Sequence, residues 1–254
     1  MTFRTLRILV LLALLAAVAG MTYWESMVVR NWLRPLEVSI YPVNGDGTPE
    51  VGKYIADLKQ DGFQEIGHFI ATQSRRYRGK DLPPVNILLA HEIGTPPPTL
   101  PEGRRSALSA ILWSLGLRYY AFIHTPFWGS LGTVRLFVVY HQGEEGKPLQ
   151  HSLGLHKGLV GVVHAFAQDR QNAQNNVVIA HELFHALGAS DKYDAANQPI
   201  YPEGFGDRGD GPRYPQHVAE IMAGRIAIRP DVARIPAGLE ECVVGYKTAW
   251  EINW

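Results

Sequence analysis

Residues 177–194 read VVIAHELFHALGASDKYD. His181 and His185 stand four residues apart in a helical context, so both imidazoles project from one side of the helix. A single divalent cation can bridge them. Glu182, next to the first histidine, reaches a water on that cation and serves as general base. Val177, Ala180, Phe184 and Leu187 form an apolar stripe on another face, by which the helix packs. Asn175 or Asn176 is expected to cap its start. Gly188 follows Leu187, where a helix end wants a left-handed residue. The chain turns there, and Asp191 arrives six residues after His185. A catalytic zinc takes three protein ligands and keeps a fourth position open. His181, His185 and Asp191 supply three. Asp194, Glu203 and Glu220 are competing carboxylates for the third place.

The string His181-Glu182-x-x-His185-x-x-Gly188-x-x-Asp191 resembles the signature of the metzincin zinc peptidases. Its aspartate form is similar to the snapalysin-type members. The resemblance implies an α+β, zincin/metzincin-like fold: a small mixed sheet, an active-site helix and a C-terminal helix. It implies Zn2+ held by His181, His185 and Asp191, with Glu182 catalytic and a peptide or protein as substrate. It also implies a methionine turn beneath the metal, for which Met222 in the stretch EIMAGR (residues 220–225) is the candidate. In that family the strand before the active helix is an antiparallel edge strand that pairs with extended substrate, and residues 159–167 occupy its place in the order. Outside the signature the resemblance rests on element order alone. Tyr193, Tyr201 and Tyr214 are each able to donate a hydrogen bond to a developing oxyanion, with Tyr193 nearest in sequence.

The remaining composition narrows the alternatives. The 254 residues carry 24 Lys+Arg and 24 Asp+Glu, a formal net charge of +0, so no basic excess exists to neutralise a nucleic-acid backbone. One cysteine, Cys242, excludes a disulfide framework, a cysteine-rich zinc finger and an iron–sulfur cluster. A deformylase-like amidase would take a cysteine upstream of the paired histidines, and Cys242 lies downstream. A zinc-binding but inactive domain that holds a partner peptide has no need of Glu182. His91-Glu92 lacks the second histidine, since Thr95 stands in its place. His164 reads as packed or substrate-facing. His124, His141, His151, His156 and His217 read as surface residues.

At the N-terminus, Arg4 and Arg7 precede an apolar run over residues 8–24. This pattern predicts a targeting segment over residues 1–24, either a signal anchor or a signal peptide cut after Ala17-Val18-Ala19. Read as an anchor, it makes the membrane a partner and places the catalytic domain outside the cytoplasm; read as a cleaved signal, it makes the protein secreted. A connector over residues 25–35 then leads into a catalytic domain over residues 36–254. Within it, strands are expected over residues 36–43, 85–90 (buried), 134–140 and 159–167. Helices are expected from Val51 to Tyr77 with a break at Gly62, over residues 102–120 with Leu108, Ile111, Leu112 and Leu115 on one face, over 175–187 and over 239–250. Residues 195–217, rich in proline and glycine, read as an irregular loop.

Overall fold

The alternation in residues 36–44 and the apolar run around Phe137 place two strands at the centre of a sheet. They are β1 (Leu36–Asn44) and β3 (Thr133–His141). The structure, a computed structural model, describes residues 3–79, 85–99, 107–125, 132–143, 153–155, 159–207 and 212–254. With β2 (Val85–Leu89), β4 (Leu153–Leu155) and β5 (Val160–Phe166), they form a five-stranded sheet of order β2-β1-β3-β5-β4. All pairings are parallel except β4 with β5. The fold is therefore a mixed α/β arrangement around a small, largely parallel sheet.

Both faces of the sheet are covered, as parallel strands require. Val38, Ile40, Leu136, Val138, Val163 and Ala165 pack beneath helices α2 (Pro49–Asp57), α3 (Gln64–Arg78) and α5 (Asn172–Leu187). Tyr41, Val43, Phe137, Val139, Val160 and Val162 pack beneath α4 (Ala107–His124). Burying one such aliphatic side chain is worth about 1.5–3 kcal/mol, so the first layer holds α5 firmly against β5. Irregular chain, with isolated bridges only, fills the described part of residues 195–217, as expected.

Several expectations are corrected. Residues 159–167 hold no edge strand: β5 is interior, parallel to β3, and the antiparallel edge is β4. The three residues of β4, Leu153-Gly154-Leu155, are too few for a periodic signal. β2 is the other edge and only half-buried, with Leu88 56% exposed. On α4 the buried positions are Leu117, Tyr120 and Ala121, while Ile111, Leu112 and Leu115 are exposed. That helix is apolar on two sides, so spacing alone does not choose the buried one. The side chain of Leu108, residues 102–106, His151 and His156 lie outside the described residues. Asn175 and Asn176 do not cap α5, which starts at Asn172. Asn175 bridges the backbone N and O of Phe166, and Asn176 donates to Gly62 O.

The N-terminal expectation is overturned. Among the described residues no helix is long and apolar enough to cross a membrane. The expected anchor falls with that finding, as does the membrane as partner and the extracytoplasmic placement that rested on it. The apolar run of 17 residues falls short of the ~20 a span needs. Helix α1 (Phe3–Arg30) instead continues past it and ends inside the fold. Residues 25–35 are accordingly no free connector. Val29 and Trp32 are buried, Trp32 Nε1 donates to Ile252 O at 2.9 Å, and Asn253 Nδ2 donates to Arg30 O at 3.1 Å.

The C-terminal helix is also shorter than expected. Residues 239–250 divide into a 3-10 turn (Leu239–Glu241), strand β9 (Cys242–Val243) and helix α6 (Tyr246–Glu251). Two short sheets, β6 (Ala219–Glu220) with β9 (Cys242–Val243) and β7 (Ile226–Arg229) with β8 (Val232–Arg234), form this lower segment. The break before α6 has a cause in Glu220, which is 0% exposed. Its Oε1 accepts from Gly245 N (2.9 Å) and Thr248 Oγ1 (2.7 Å), its Oε2 from Met222 N (2.7 Å) and Ala223 N (3.1 Å). One carboxylate thus ties the turn at residues 220–224 to the start of α6. At the other end of α6, Glu251 accepts from Ser190 N (2.9 Å), Ser190 Oγ (2.8 Å) and Lys192 Nζ (2.8 Å).

Glu220→Gln replaces one acceptor oxygen by a donor facing two buried donors. It should cost on the order of 3 kcal/mol, read as a lowered midpoint in urea; an unchanged midpoint would show that the carboxylate carries no such role. Glu251 makes a pH-dependent contribution. Burial pushes its carboxyl up, but Lys192 and Ser190 outweigh this and hold it below the usual range. Its stabilisation is therefore complete above the ordinary carboxylate value of about 4.3 and fades as pH falls through the lower folded value. Thermal melts at pH 7 and pH 3 should show a smaller acid loss in Glu251→Gln than in the parent. Parallel losses would remove this ion pair from the acid limb.

Candidate metal centre

The two imidazoles of α5 lie edge to face, with ring centroids 4.7 Å apart. Each Nδ1 is held by a backbone carbonyl. His181 Nδ1 donates to Ile221 O and His185 Nδ1 to Ala189 O, both at 2.9 Å. A carbonyl only accepts, so the proton of each neutral ring sits on Nδ1 and the Nε2 lone pair is presented outward. Both Nε2 atoms face one oxygen. Asp191 Oδ1 is 3.3 Å from His181 Nε2 and 2.9 Å from His185 Nε2. Three acceptor atoms converging at this range repel one another unless positive charge lies among them.

Two occupants meet that need: protons on the rings, or a cation. The charge coupling is visible in both partners. Burial pushes the Asp191 carboxyl up, but the two imidazoles outweigh it and hold it well below the usual carboxylate range. Burial pushes His181 down, but Asp191 and Glu182 outweigh it and raise it. The donor set also suits a metal. Ligands about 2.0–2.1 Å from a tetrahedral ion sit about 3.3 Å apart, close to the spacings found. His181, Glu182 and His185 offer ligand atoms within 4.8 Å of one another. Nδ1 bonded to a carbonyl is the outer-shell arrangement that orients a metal-binding imidazole.

Glu182 is 3% exposed, and its Oε2 has no hydrogen-bond partner among the described residues. Such an oxygen costs about 1–3 kcal/mol until a donor reaches it. Burial raises its pKa, against the pull of His181 and His185. The group is thereby disposed to take a proton.

Asp191 reaches the imidazoles because the chain reverses at Gly188, where φ is 111° and the backbone N bonds to Phe184 O and His185 O. The segment is then clamped on both sides of Asp191. Ser190 and Lys192 share the Glu251 carboxylate, and Lys192 N donates to Met222 O at 3.0 Å. The Asp191 side chain is 44% exposed while those of the histidines are 12% and 8% exposed, so the centre opens to solvent on the aspartate side. The competing carboxylates are engaged elsewhere. Asp194 Oδ1 accepts from Ala196 N and Gln198 N in a turn, Glu203 is exposed, and Glu220 is consumed by its four donors.

Met222 is fully buried in the turn below the centre. The backbone of that turn does the positioning: Ile221 O takes His181 and Met222 O takes Lys192. Tyr193 stacks on His181 with centroids 6.3 Å apart. Burial, then Asp191, pushes its hydroxyl up to about 12, so it stays a donor at neutral pH. Tyr201 and Tyr214 instead pack with Phe205 about Arg213, whose guanidinium is 3.9 Å from the Tyr201 ring. His141 is no free surface residue, since it bonds to Asp46 and to His164. Sequence reasoning missed Ile221 O, Ala189 O, Lys192 and Glu251. Backbone carbonyls carry no residue-type signal, and nothing in the spacing of Glu251 points back to Ser190. Comparison with protein-family models gives no match for this chain, and comparison with curated proteins gives none either.

Proposed function

We propose that the chain is a zinc-dependent endopeptidase of metzincin-like build. One observation carries this reading: two imidazoles locked through Nδ1 converge with Asp191 on one point, beside the buried and unsatisfied carboxylate of Glu182. His181, His185 and Asp191 would hold the zinc. When bound there, it supplies Lewis-acid polarisation of a peptide carbonyl and lowers the pKa of water. Glu182 takes the proton from the attacking water and passes it to the leaving amine. The raised pKa of Glu182 suits both halves of that transfer. Tyr193, a donor at neutral pH, stands next to Asp191 and can bond to the oxygen that gains charge. Strand β4 is an antiparallel sheet edge, where an extended peptide can add as a further strand through its backbone. In this reading Gly188 supplies the turn of the signature and Met222 the methionine turn.

The purified chain should hold one zinc tightly, and His181→Ala or His185→Ala should release it. Asp191→Ala should weaken zinc by more than the roughly 10–100-fold typical of an outer-shell partner, and Asp194→Ala by less than that. Metal titration checks the series; equal losses in the two aspartate variants would reject Asp191 as ligand.

Glu182→Gln should keep both fold and zinc. Cleavage of a peptide library should fall by on the order of 10²–10⁴. Parental cleavage by a zinc-loaded Glu182→Gln protein would remove Glu182 as the base. Undetectable cleavage by the zinc-loaded parent would reject the peptidase reading itself.

A further inference from the structure

A second cluster of histidines lies on the other face of the sheet. His141 is the last residue of β3 and His164 belongs to β5, with Val139 opposite His164 in the register. Both side chains follow the alternation of Phe137, Val139 and Val162, so they share the face opposite α5. Their rings stack at 5.2 Å and 21°. His141 Nε2 lies 2.9 Å from His164 Nδ1. Behind it, His141 Nδ1 is 2.7 Å from Asp46 Oδ1, and Gln142 N donates to Asp46 Oδ2 at 2.7 Å.

The hydrogen-bond roles follow from the carboxylate. Burial pushes Asp46 up, but Gln142 and His141 outweigh it and lower its pKa, so it only accepts. His141 Nδ1 therefore carries a proton and its Nε2 faces His164. Burial, with His141 as a smaller cause, lowers the His164 pKa to about 4, so the imidazole is neutral at pH 7. Between the two facing nitrogens there is room for one proton, and both rings compete for the electron-poor partner. A carboxylate behind a histidine is the arrangement that orients and strengthens a metal-binding imidazole. The loop is shaped to allow it: a Cβ at Gly45 would meet His141 Cε1 at 2.5 Å.

We infer that His141 Nε2 and His164 Nδ1 form a second metal site, oriented by Asp46, for a divalent d-block cation that prefers imidazole nitrogen, such as zinc, copper(II), nickel or cobalt. Binding displaces the shared proton from between the rings to His164 Nε2, so both rings stay neutral and each turns a lone pair to the cation. Water fills the remaining coordination positions, so this site is weaker than the centre on α5. Its existence is independent of any peptidase activity.

The test uses the full chain and Co2+ or Cu2+ alone as probe, followed by equilibrium dialysis and by the visible absorption of the bound ion. The parent should take up two equivalents, one tight and one weaker. His181→Ala/His185→Ala should keep the weaker one, and His141→Ala or His164→Asn should lose it. Asp46→Asn should weaken it by about 10–100-fold without touching the tight equivalent. Circular dichroism establishes that each variant is folded, and the parent's stoichiometry needs no variant. A single equivalent in the parent would overturn the inference. So would a second equivalent that survives both His141→Ala and His164→Asn, which would assign it to adventitious surface histidines.

Discussion

Two backbone carbonyls decide which nitrogens the paired imidazoles of α5 expose. A histidine with both nitrogens free can tautomerise and rotate, and its lone pair is then presented only part of the time. Ile221 O and Ala189 O remove that freedom by taking the Nδ1 protons at 2.9 Å each. The four-residue spacing sets the side of the helix, but the carbonyls set ring plane and tautomer. Without them the Nε2 atoms would not converge with Asp191.

Those carbonyls are themselves held by charge. Ile221 belongs to a turn whose amides bond to Glu220, and Glu220 also grips the start of α6. Ala189 precedes Ser190, which bonds to Glu251 at the end of α6. A six-residue helix, too short to be stable alone, thus serves as a common strut for both sides of the centre. The end of α1 closes the same knot: Arg30 Nη2 donates to Glu251 O at 3.2 Å, and a Cβ on Gly188 would press on the Arg30 guanidinium. Burying Glu220 is costly by itself, and four donors offset that cost only while the turn keeps its shape. The rigidity of the centre and the integrity of the lower segment are one property.

How much of this is legible in the sequence differs from element to element. α5, the left-handed cap at Gly188 and the strands at β1, β2 and β3 follow from local periodicity and turn chemistry, and the structure has them near the expected bounds. Local signals fail where a long-range partner decides. Residues 239–250 have helical spacing throughout, yet Val243 O takes Ile221 N and Glu220 takes Gly245 N, so the helix cannot start before Tyr246. On α4, two apolar faces of similar quality compete, and the sheet takes the one bearing Leu117 and Tyr120. At the N-terminus the same holds: apolar length carries no trace of the burial of Val29 or of the bond from Trp32 Nε1 to Ile252 O. Asn175 and Asn176 stand near a helix start, as caps do, but their amides are spent on Phe166 and Gly62.

The division of exposure within the centre then acquires a physical sense. Glu182 is buried at 3% exposure and His185 nearly so, while the Asp191 side chain is 44% exposed. A base that must hold and release a proton gains from a dry setting, because burial raises its affinity for the proton. A ligand carboxylate has the opposite need: it must stay ionised, and solvent together with two imidazoles keeps it so. One buried and one open carboxylate on the same pair of histidines are thereby pushed apart in proton affinity, one up and one down. Separated titrations of this kind are what the proposed roles require, acid–base work at Glu182 and charge compensation at Asp191. The fold achieves it by keeping Glu182 within the body of α5 and sending Asp191 past the turn at Gly188.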